Sequence, residues 1–268
     1  MTSPGAAAPF DPFARVVELR ASRGRAVLVT VIACQGSTPR KPGARMVIHA
    51  DGSTEGTIGG GAIEQLARQH APAVLASETT RVVEAQLTSQ LAMCCGGTMT
   101  LFLEPVVRPP YLIVFGCGHV GTAIIQTAAG LGFEIIAVDD LVENANPQRL
   151  PQAGRIINAY ERDELRELPF GEETYVVIAT REHALDQRLL ELCLPETTAY
   201  LGVIGSRRKA HMQRERLAAK AFAPDAIARV HCPVGLDIGA QSPEEIAVAV
   251  CAELIATRRG GAKLAQGT

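Results

Sequence analysis

The stretch that most restricts the fold lies at residues 111–139. An apolar run, 111–115 (YLIVF), leads into Gly116-Cys117-Gly118-His119-Val120-Gly121. Helical spacing follows over 120–131, and a second apolar run, 133–138 (FEIIAV), ends at Asp139. The glycines fit G-x-G-x-x-G between a strand and a helix. The acid falls about 20 residues on, where a dinucleotide fold binds a ribose hydroxyl. A helix opening there turns unpaired N–H groups toward a phosphate. Gly116, Gly118, His119, Gly121 and Asp139 are therefore candidate nucleotide-binding residues. The alternative is a Rossmann-like domain that holds no nucleotide, with His119 facing solvent.

The alternation continues to the C-terminal region. Strands fit 155–159, 175–179 and 199–204, and helices fit 161–168, 184–192 and 207–220. Ser242, Pro243 and Glu245 spell a capping box before a final apolar helix. Such β-α alternation calls for a parallel sheet with helices on both faces. Arg108-Pro109-Pro110 breaks the chain just before it. Upstream the pattern differs. Asp11 and Pro12 open a helix that Gly24 can end, strands fit 25–34, 45–50, 81–87 and 98–106, and a helix fits 62–76. The expected fold class is α/β: an α+β domain over 1–107, then a Rossmann-like, doubly wound parallel sheet over 111–268.

Composition narrows the function classes. Basic residues number 26 and acidic residues 28, tryptophan is absent and aromatics make up 4%. That balance argues against a nucleic-acid partner. No apolar run approaches the roughly 20 residues of a membrane helix. Residues 1–13 show no basic region followed by an apolar core, so no secretory leader is expected. Seven cysteines form no secreted framework. A cytoplasmic location, with reduced thiols, is the expectation.

Against that background Cys94-Cys95-Gly96-Gly97 stands out. Adjacent side chains on a strand point to opposite faces, so two neighbouring thiols do not share one core position. Glycine lets a ligand approach the backbone. The residues suit a soft-ligand, sulfur or redox site, or else a tight turn with two small side chains. No zinc spacing surrounds them, and no Ser-His-Asp order or nucleophile elbow is present. Cys34, Cys193 and Cys251 read as core, and Cys117 as a packing residue of the glycine turn. Gly59, Gly60 and Gly61 precede a helix and can cradle an anion or simply make a tight connection, with Glu64 on the first turn. At Ser206-Arg207-Arg208-Lys209 three cations open a helix against its macrodipole. A bound anion relieves that conflict, with Ser206 and Arg207 as the candidates; the alternative is a solvated basic turn. Asp237 can orient a ligand or cap a turn, and a turn cap suits it better. Arg40, on the loop 35–43, is by itself ordinary surface chemistry.

Together these motifs resemble the xanthine dehydrogenase accessory protein family, XdhC/CoxI. The matching segments are GSTPRKPGARM (36–46), TIGGGAIE (57–64), MCCGGTMTLFLEP (93–105), VFGCGHVG (114–121), IGSRRK (204–209) and PVGLDIGAQSPEEIAVAV (233–250). The resemblance implies a chaperone that binds molybdenum cofactor (molybdopterin), supports its sulfuration and delivers it to a xanthine dehydrogenase-like molybdenum hydroxylase. A cysteine desulfurase is the implied sulfur source. Such a chain is an accessory factor more than a catalyst. In this picture Cys94 and Cys95 handle sulfur or contact the cofactor, and meet metal only through it. Thiolate suits both tasks. Arg40, the two glycine loops and Gly96-Gly97 would receive the anionic pterin phosphate. A homodimer is compatible with this reading.

Two positions depart from the family. Met93 stands where Gln is common, and Asp139-Asp140-Leu141 lacks a following arginine. The second departure weakens a preference for a 2′-phosphate and leaves NAD(P) or another nucleotide open. The rival expectation is an NAD(P)-dependent oxidoreductase with a redox-active cysteine pair. A protein-interaction adaptor would leave the glycine loops unexplained.

Overall fold

A computed structural model of the chain describes residues 10–22, 24–87 and 96–260. The fold divides into two units at Arg108/Pro109.

The first unit is built on an antiparallel sheet. Its elements are α1 (Pro12–Ala21), β1 (Ala26–Gln35), β2 (Arg45–His49), β3 (Thr54–Gly56), α2 (Gly61–Ser77), β4 (Arg81–Gln86) and β5 (Thr98–Val106). Among the described residues the strand order is β3-β2-β1-β5-β4. Alternation along the strands sends Val27, Val29, Val31, Met46, Ile48, Leu101 and Leu103 to one face. There α2 covers them with Ile63, Ala67, Ala71 and Val74, a stripe at helical spacing. Leu19 of α1 packs on the other face against Ala26, Leu28, Val47 and Val106. Asp11 caps α1, accepting from the Phe13 and Ala14 amides, and Pro12 occupies its first turn.

A bulge between Val31 and Ala33 shifts the β1–β5 register. It ends the buried alternation, leaving Ile32 47% exposed and Cys34 half-buried. The Cys34 thiol donates to the Arg40 carbonyl at 3.3 Å. Cys34 is thus a half-buried strand-end residue that packs against the margin of the core its apolar neighbours suggest. Strand β3 has no apolar residue and no sequence signal; it exists because it pairs with β2.

The second unit contains β6 (Tyr111–Phe115), α3 (His119–Ala128), β7 (Glu134–Val138), β8 (Arg155–Ile157), α4 (Arg162–Leu165), β9 (Gly171–Ile178), α5 (His183–Cys193), β10 (Thr198–Val203), α6 (Arg207–Ala219), α7 (Pro224–Ala228), β11 (Val230–His231) and α8 (Pro243–Arg259). Its strands are parallel in the order β11-β10-β9-β6-β7-β8. The order reverses at β6/β9, which makes that edge the topological switch point of a doubly wound sheet. All five residues of β6 are buried, as a central parallel strand requires. Tyr111, Ile113 and Phe115 face a core closed by α5 and α6. Leu112 and Val114 face one closed by α3 and α8.

Helix α4 is shorter than the spacing over 161–168 suggests, because Pro169 disfavours helical backbone at Leu168. Strand β9 begins at Gly171, ahead of its apolar part. Helix α7 and the two-residue β11 carry no sequence signal.

Helix α8 locks this unit together. Ser242 and Glu245 form the reciprocal capping box. Arg258 donates to the Leu131 carbonyl at 2.7 Å and lies over the Phe133 ring. Glu253, 7% exposed, accepts from Tyr200 Oη (2.6 Å), His231 Nδ1 (2.7 Å) and the Gly235 amide (2.6 Å). Burial works to raise the Glu253 pKa, but these donors outweigh it and hold the carboxyl below its usual range.

Both ends of this lock can be tested. Ser242→Ala should cost about 1 kcal/mol in urea unfolding of the second unit, and Ser242→Thr should restore most of it. A carboxylate with a lowered folded-state pKa stabilises fully above its unfolded value of 4.5 and loses that contribution as pH falls through the folded value. Glu253→Gln should therefore destabilise by roughly 1.5–3 kcal/mol at pH 7. The gap between variant and wild type should narrow in unfolding curves recorded progressively below pH 4.5; a pH-independent gap would refute the ionised tie.

Candidate functional site

In the first unit three loops meet. After β1 the chain turns at Gly36 (φ +70°), where a Cβ would stand 3.2 Å from Gly97 Cα. A Cβ on Gly97 would overlap the carbonyl oxygens of Gln35 and Ser37. On its other flank the same loop sets Pro39 against Gly59. A Cβ there would lie 2.7 Å from the proline ring, and φ is +135°. The loop 35–40 is thus seated between Gly96-Gly97 and the Thr57–Gly61 turn, and glycine is required at both contacts. Cys94 and Cys95 lie outside the described residues; Gly96, which follows them, is exposed. Arg40 is exposed too, and its guanidinium makes no hydrogen bond or ion pair among the described residues.

The glycine turn before α2 is largely satisfied from within. Glu64 Oε1 accepts from Thr57 Oγ1 (2.6 Å), the Gly60 amide (3.0 Å) and the Ile58 amide (3.2 Å). Burial opposes ionisation of Glu64, and these donors overcome it, lowering the pKa. Gly60 and Gly61 nevertheless keep an open flank: beyond their own chain neighbours, no atom of the described residues lies within 4 Å of where a Cβ would stand.

In the second unit the three glycines of the turn after β6 do three different things. Gly116 (φ +92°) lies against Ala179 and Thr180, its Cβ position being 2.7 Å from Thr180 Cα. A Cβ on Gly121 would overlap the Gly116 carbonyl. Gly118, at the start of α3, has open space. This division of labour is the one a dinucleotide turn needs. Asp139 is differently placed from a free ribose acceptor. It is 3% exposed, and accepts from the Cys117 amide at 2.7 Å and the Leu141 amide at 2.9 Å. Its carboxylate braces the glycine turn. Neighbouring Asp140 pairs through both oxygens with Arg181, at 2.5 and 2.8 Å. Arg181 follows β9 and Asp140 follows β7, so the pair joins loops on either side of β6. His119 is exposed and makes no hydrogen bond among the described residues. The Cys117 thiol is pushed up to about 12, by burial first and then by Asp139, so it stays protonated and packs.

Farther along the same sheet edge, α6 begins between two cavities. Ser206 caps it, accepting from the Lys209 amide. One cavity, about 870 Å³, is bordered by Arg207, Arg214, Cys232, Asp237, Ile238 and Glu253, among others. The other, about 410 Å³, is bordered by Ser206, Arg208, Lys209, Arg216 and His183. Arg207 pairs with Asp237 at 2.6 Å, so Asp237 is an ion-pair partner, not a turn cap. Arg214, Asp140, Arg181 and Glu253 escaped sequence reading. Arg214 was detectable as the residue two turns on from Arg207; the other three act through partners remote in sequence. Among the described residues no group of three His, Cys, Asp or Glu side chains is placed to hold a metal ion, and no helix is long and apolar enough to cross a membrane.

Residues 112–254 match the XdhC Rossmann domain, and residues 19–86 match the XdhC and CoxI family. The chain is similar to the uncharacterized protein YqeB of Escherichia coli, 35% identical over 233 residues, covering 85% of this chain and 42% of YqeB. It is 32% identical over 162 residues to a probable xanthine dehydrogenase subunit of Bacillus subtilis, covering 60% of this chain and 47% of that protein. The chain therefore spans less than half the length of these two relatives. The molybdenum cofactor insertion chaperone PaoD of E. coli is 24% identical over 277 residues, 90% of this chain and 86% of PaoD. A Bacillus halodurans crystal structure, described as a xanthine dehydrogenase, shares the fold with a TM-score of 0.53 at 24% identity, covering 94% of this chain and 98% of that one. With more than half of its length matched by the Rossmann domain of this family, and its first unit matched as well, the chain belongs to the XdhC and CoxI family.

Proposed function

We propose that this chain binds molybdenum cofactor and serves the maturation of a xanthine dehydrogenase-like molybdenum hydroxylase. The observation that carries the reading is the seating of the loop 35–40 between Gly96-Gly97 and the glycine turn before α2. It brings an arginine with no partner among the described residues, a glycine surface with an open flank, and the residue following a cysteine pair onto one part of the first unit. The relatives' names, a cofactor insertion chaperone and a xanthine dehydrogenase subunit, support the same class.

In this reading Arg40 holds the pterin phosphate by charge-assisted hydrogen bonds. Gly60 and Gly61 let the ligand approach the backbone, since a side chain there would fill the open flank. Cys94 and Cys95 supply soft thiolate ligands or carry sulfur received from a cysteine desulfurase. When bound, the cofactor brings the molybdenum chemistry of the client enzyme; the chaperone's own residues hold it, shield it and release it. The protein is an accessory factor, working in the cytoplasm and compatible with a homodimer.

Titration with molybdenum cofactor is the test. Wild type should bind saturably, Cys94→Ala and Cys95→Ala should weaken binding or abolish sulfuration, and Arg40→Ala should weaken it about tenfold, as loss of a charge-assisted contact does. Equal and negligible binding by all four proteins would falsify the reading.

A second reading is favoured by one observation, the open flank of Gly118: an NAD(P)-dependent oxidoreductase with a redox-active cysteine pair. Calorimetry with NAD+ and NADP+ separates the two. Turnover with either nucleotide supports the oxidoreductase, and absence of binding heat with both removes it.

A further inference from the structure

The cavity of about 870 Å³ between α6 and the segment 232–240 plays no part in the cofactor reading, which rests on the first unit. Its size falls within the range of small-molecule sites. Its border has three kinds of surface. Ile204, Val234, Leu236 and Ile246 are apolar. Arg207 and Arg214, two helical turns apart and so on one face of α6, are cationic. Glu253 is a nearly buried carboxylate.

The border carries two cations, Arg207 and Arg214, and two acids, Asp237 and Glu253; what favours an anion is that the acids are engaged more fully than the cations. Arg214 has no ion-pair partner among the described residues. Arg207 has one, Asp237, but that pair is exposed, its side chains retaining 68% and 61% of their accessibility. Exposed pairs contribute little, so an incoming phosphate competes on favourable terms for the Arg207 guanidinium. Asp237 sits between Gly235 (φ +93°) and Gly239 (φ +75°), both in a region of backbone space that favours glycine. Gly235 is anchored to α8, its amide on Glu253 and the Leu236 amide on the Ala249 carbonyl. The stretch beyond carries Ile238 at 56% exposure. One side of the cavity is therefore fixed to α8, while Asp237 is held to α6 by a weak surface pair.

Glu253 adds a second specificity. Among the described residues its Oε2 accepts from Tyr200 and Gly235, and its Oε1 from His231 alone. An ionised carboxylate offers about four acceptor places over its two oxygens, and three are taken among the described residues, so Oε1 keeps an acceptor place. A ligand N–H suits that place; a second acceptor or an apolar edge does not.

We infer that this cavity binds an organic phosphate monoester whose far end is a planar heterocycle with an N–H donor. The phosphate rests on Arg207 and Arg214, displacing Asp237. The ring lies against the apolar wall, with its N–H on Glu253. This site follows β10 and β11, whereas the glycine turn follows β6, so it does not depend on the G-x-G-x-x-G residues.

Guanosine 5′-monophosphate is the probe, titrated calorimetrically into the full chain, with ribose 5-phosphate and inorganic phosphate in parallel. Wild type should bind the nucleotide saturably and about tenfold or more tighter than either smaller phosphate, since both lack the ring. Arg207→Ala and Arg214→Ala should each weaken it by about tenfold or more, as loss of a charge-assisted contact does. Asp237→Asn should strengthen it by removing the competitor. Arg214 is exposed and unpaired among the described residues, so Arg214→Ala should keep the wild-type thermal unfolding profile, which separates lost binding from lost folding. No saturable binding by wild type or Asp237→Asn overturns the inference. So does equal affinity for nucleotide and inorganic phosphate, or nucleotide affinity unchanged in both arginine variants. None of these measurements involves molybdenum, so their failure leaves the cofactor reading intact.

Discussion

The second unit depends on how closely α3 approaches β6. The Gly116 carbonyl occupies the space a Gly121 side chain would need, so the helix can start only where a glycine meets that oxygen. The Gly116 amide donates to the Val138 carbonyl at 2.8 Å, and the Ala179 amide to the Phe115 carbonyl at 2.8 Å. The turn is thereby stitched to both neighbouring strands at the switch point. Asp139 completes the clamp by accepting from the Cys117 amide. A methyl at Gly121 would force helix and strand apart, and packed interiors tolerate little such displacement. Every later crossover in this unit packs on the sheet that this contact positions.

That contact explains why the Rossmann half was legible in the sequence. Its determinants are local: an apolar strand, three glycines at fixed spacing, a helix and an acid. The capping box at Ser242 is local too. Features that escaped reading are held by partners far along the chain. Strand β3 exists through β2, and β11 is two residues long, paired only with β10 among the described residues. Glu253 reads as one more charge on a helix, yet it is buried because Tyr200, His231 and Gly235 converge on it. Asp237 looks like a turn cap until Arg207, 30 residues away, is placed opposite.

The candidate site divided along the same line. The glycine loops and Arg207 were recognisable as residue types in a pattern. Which groups remain available to a ligand was not, because availability depends on the neighbours folding brings. Arg40 reads as a cation on a loop and Arg207 as one at the start of a helix. In the structure one is unpaired among the described residues and the other holds an aspartate.

Both glycine loops share a consequence for anion recognition. Each looks like a backbone cradle for phosphate, and each already has a carboxylate on its amides: Glu64 on Ile58 and Gly60, Asp139 on Cys117. Two like unit charges 4 Å apart near a protein surface repel by roughly 4 kcal/mol. That exceeds the roughly 0.5–1.5 kcal/mol net value of a typical hydrogen bond. A phosphate settling onto these amides would meet an acid that the fold holds in place. The two anion sites proposed above accordingly rest on side chains at the rims, Arg40 in the first unit and Arg207 with Arg214 in the second. Among the described residues the glycines leave backbone uncovered at Gly60, Gly61 and Gly118, which is the surface the proposed ligands would use.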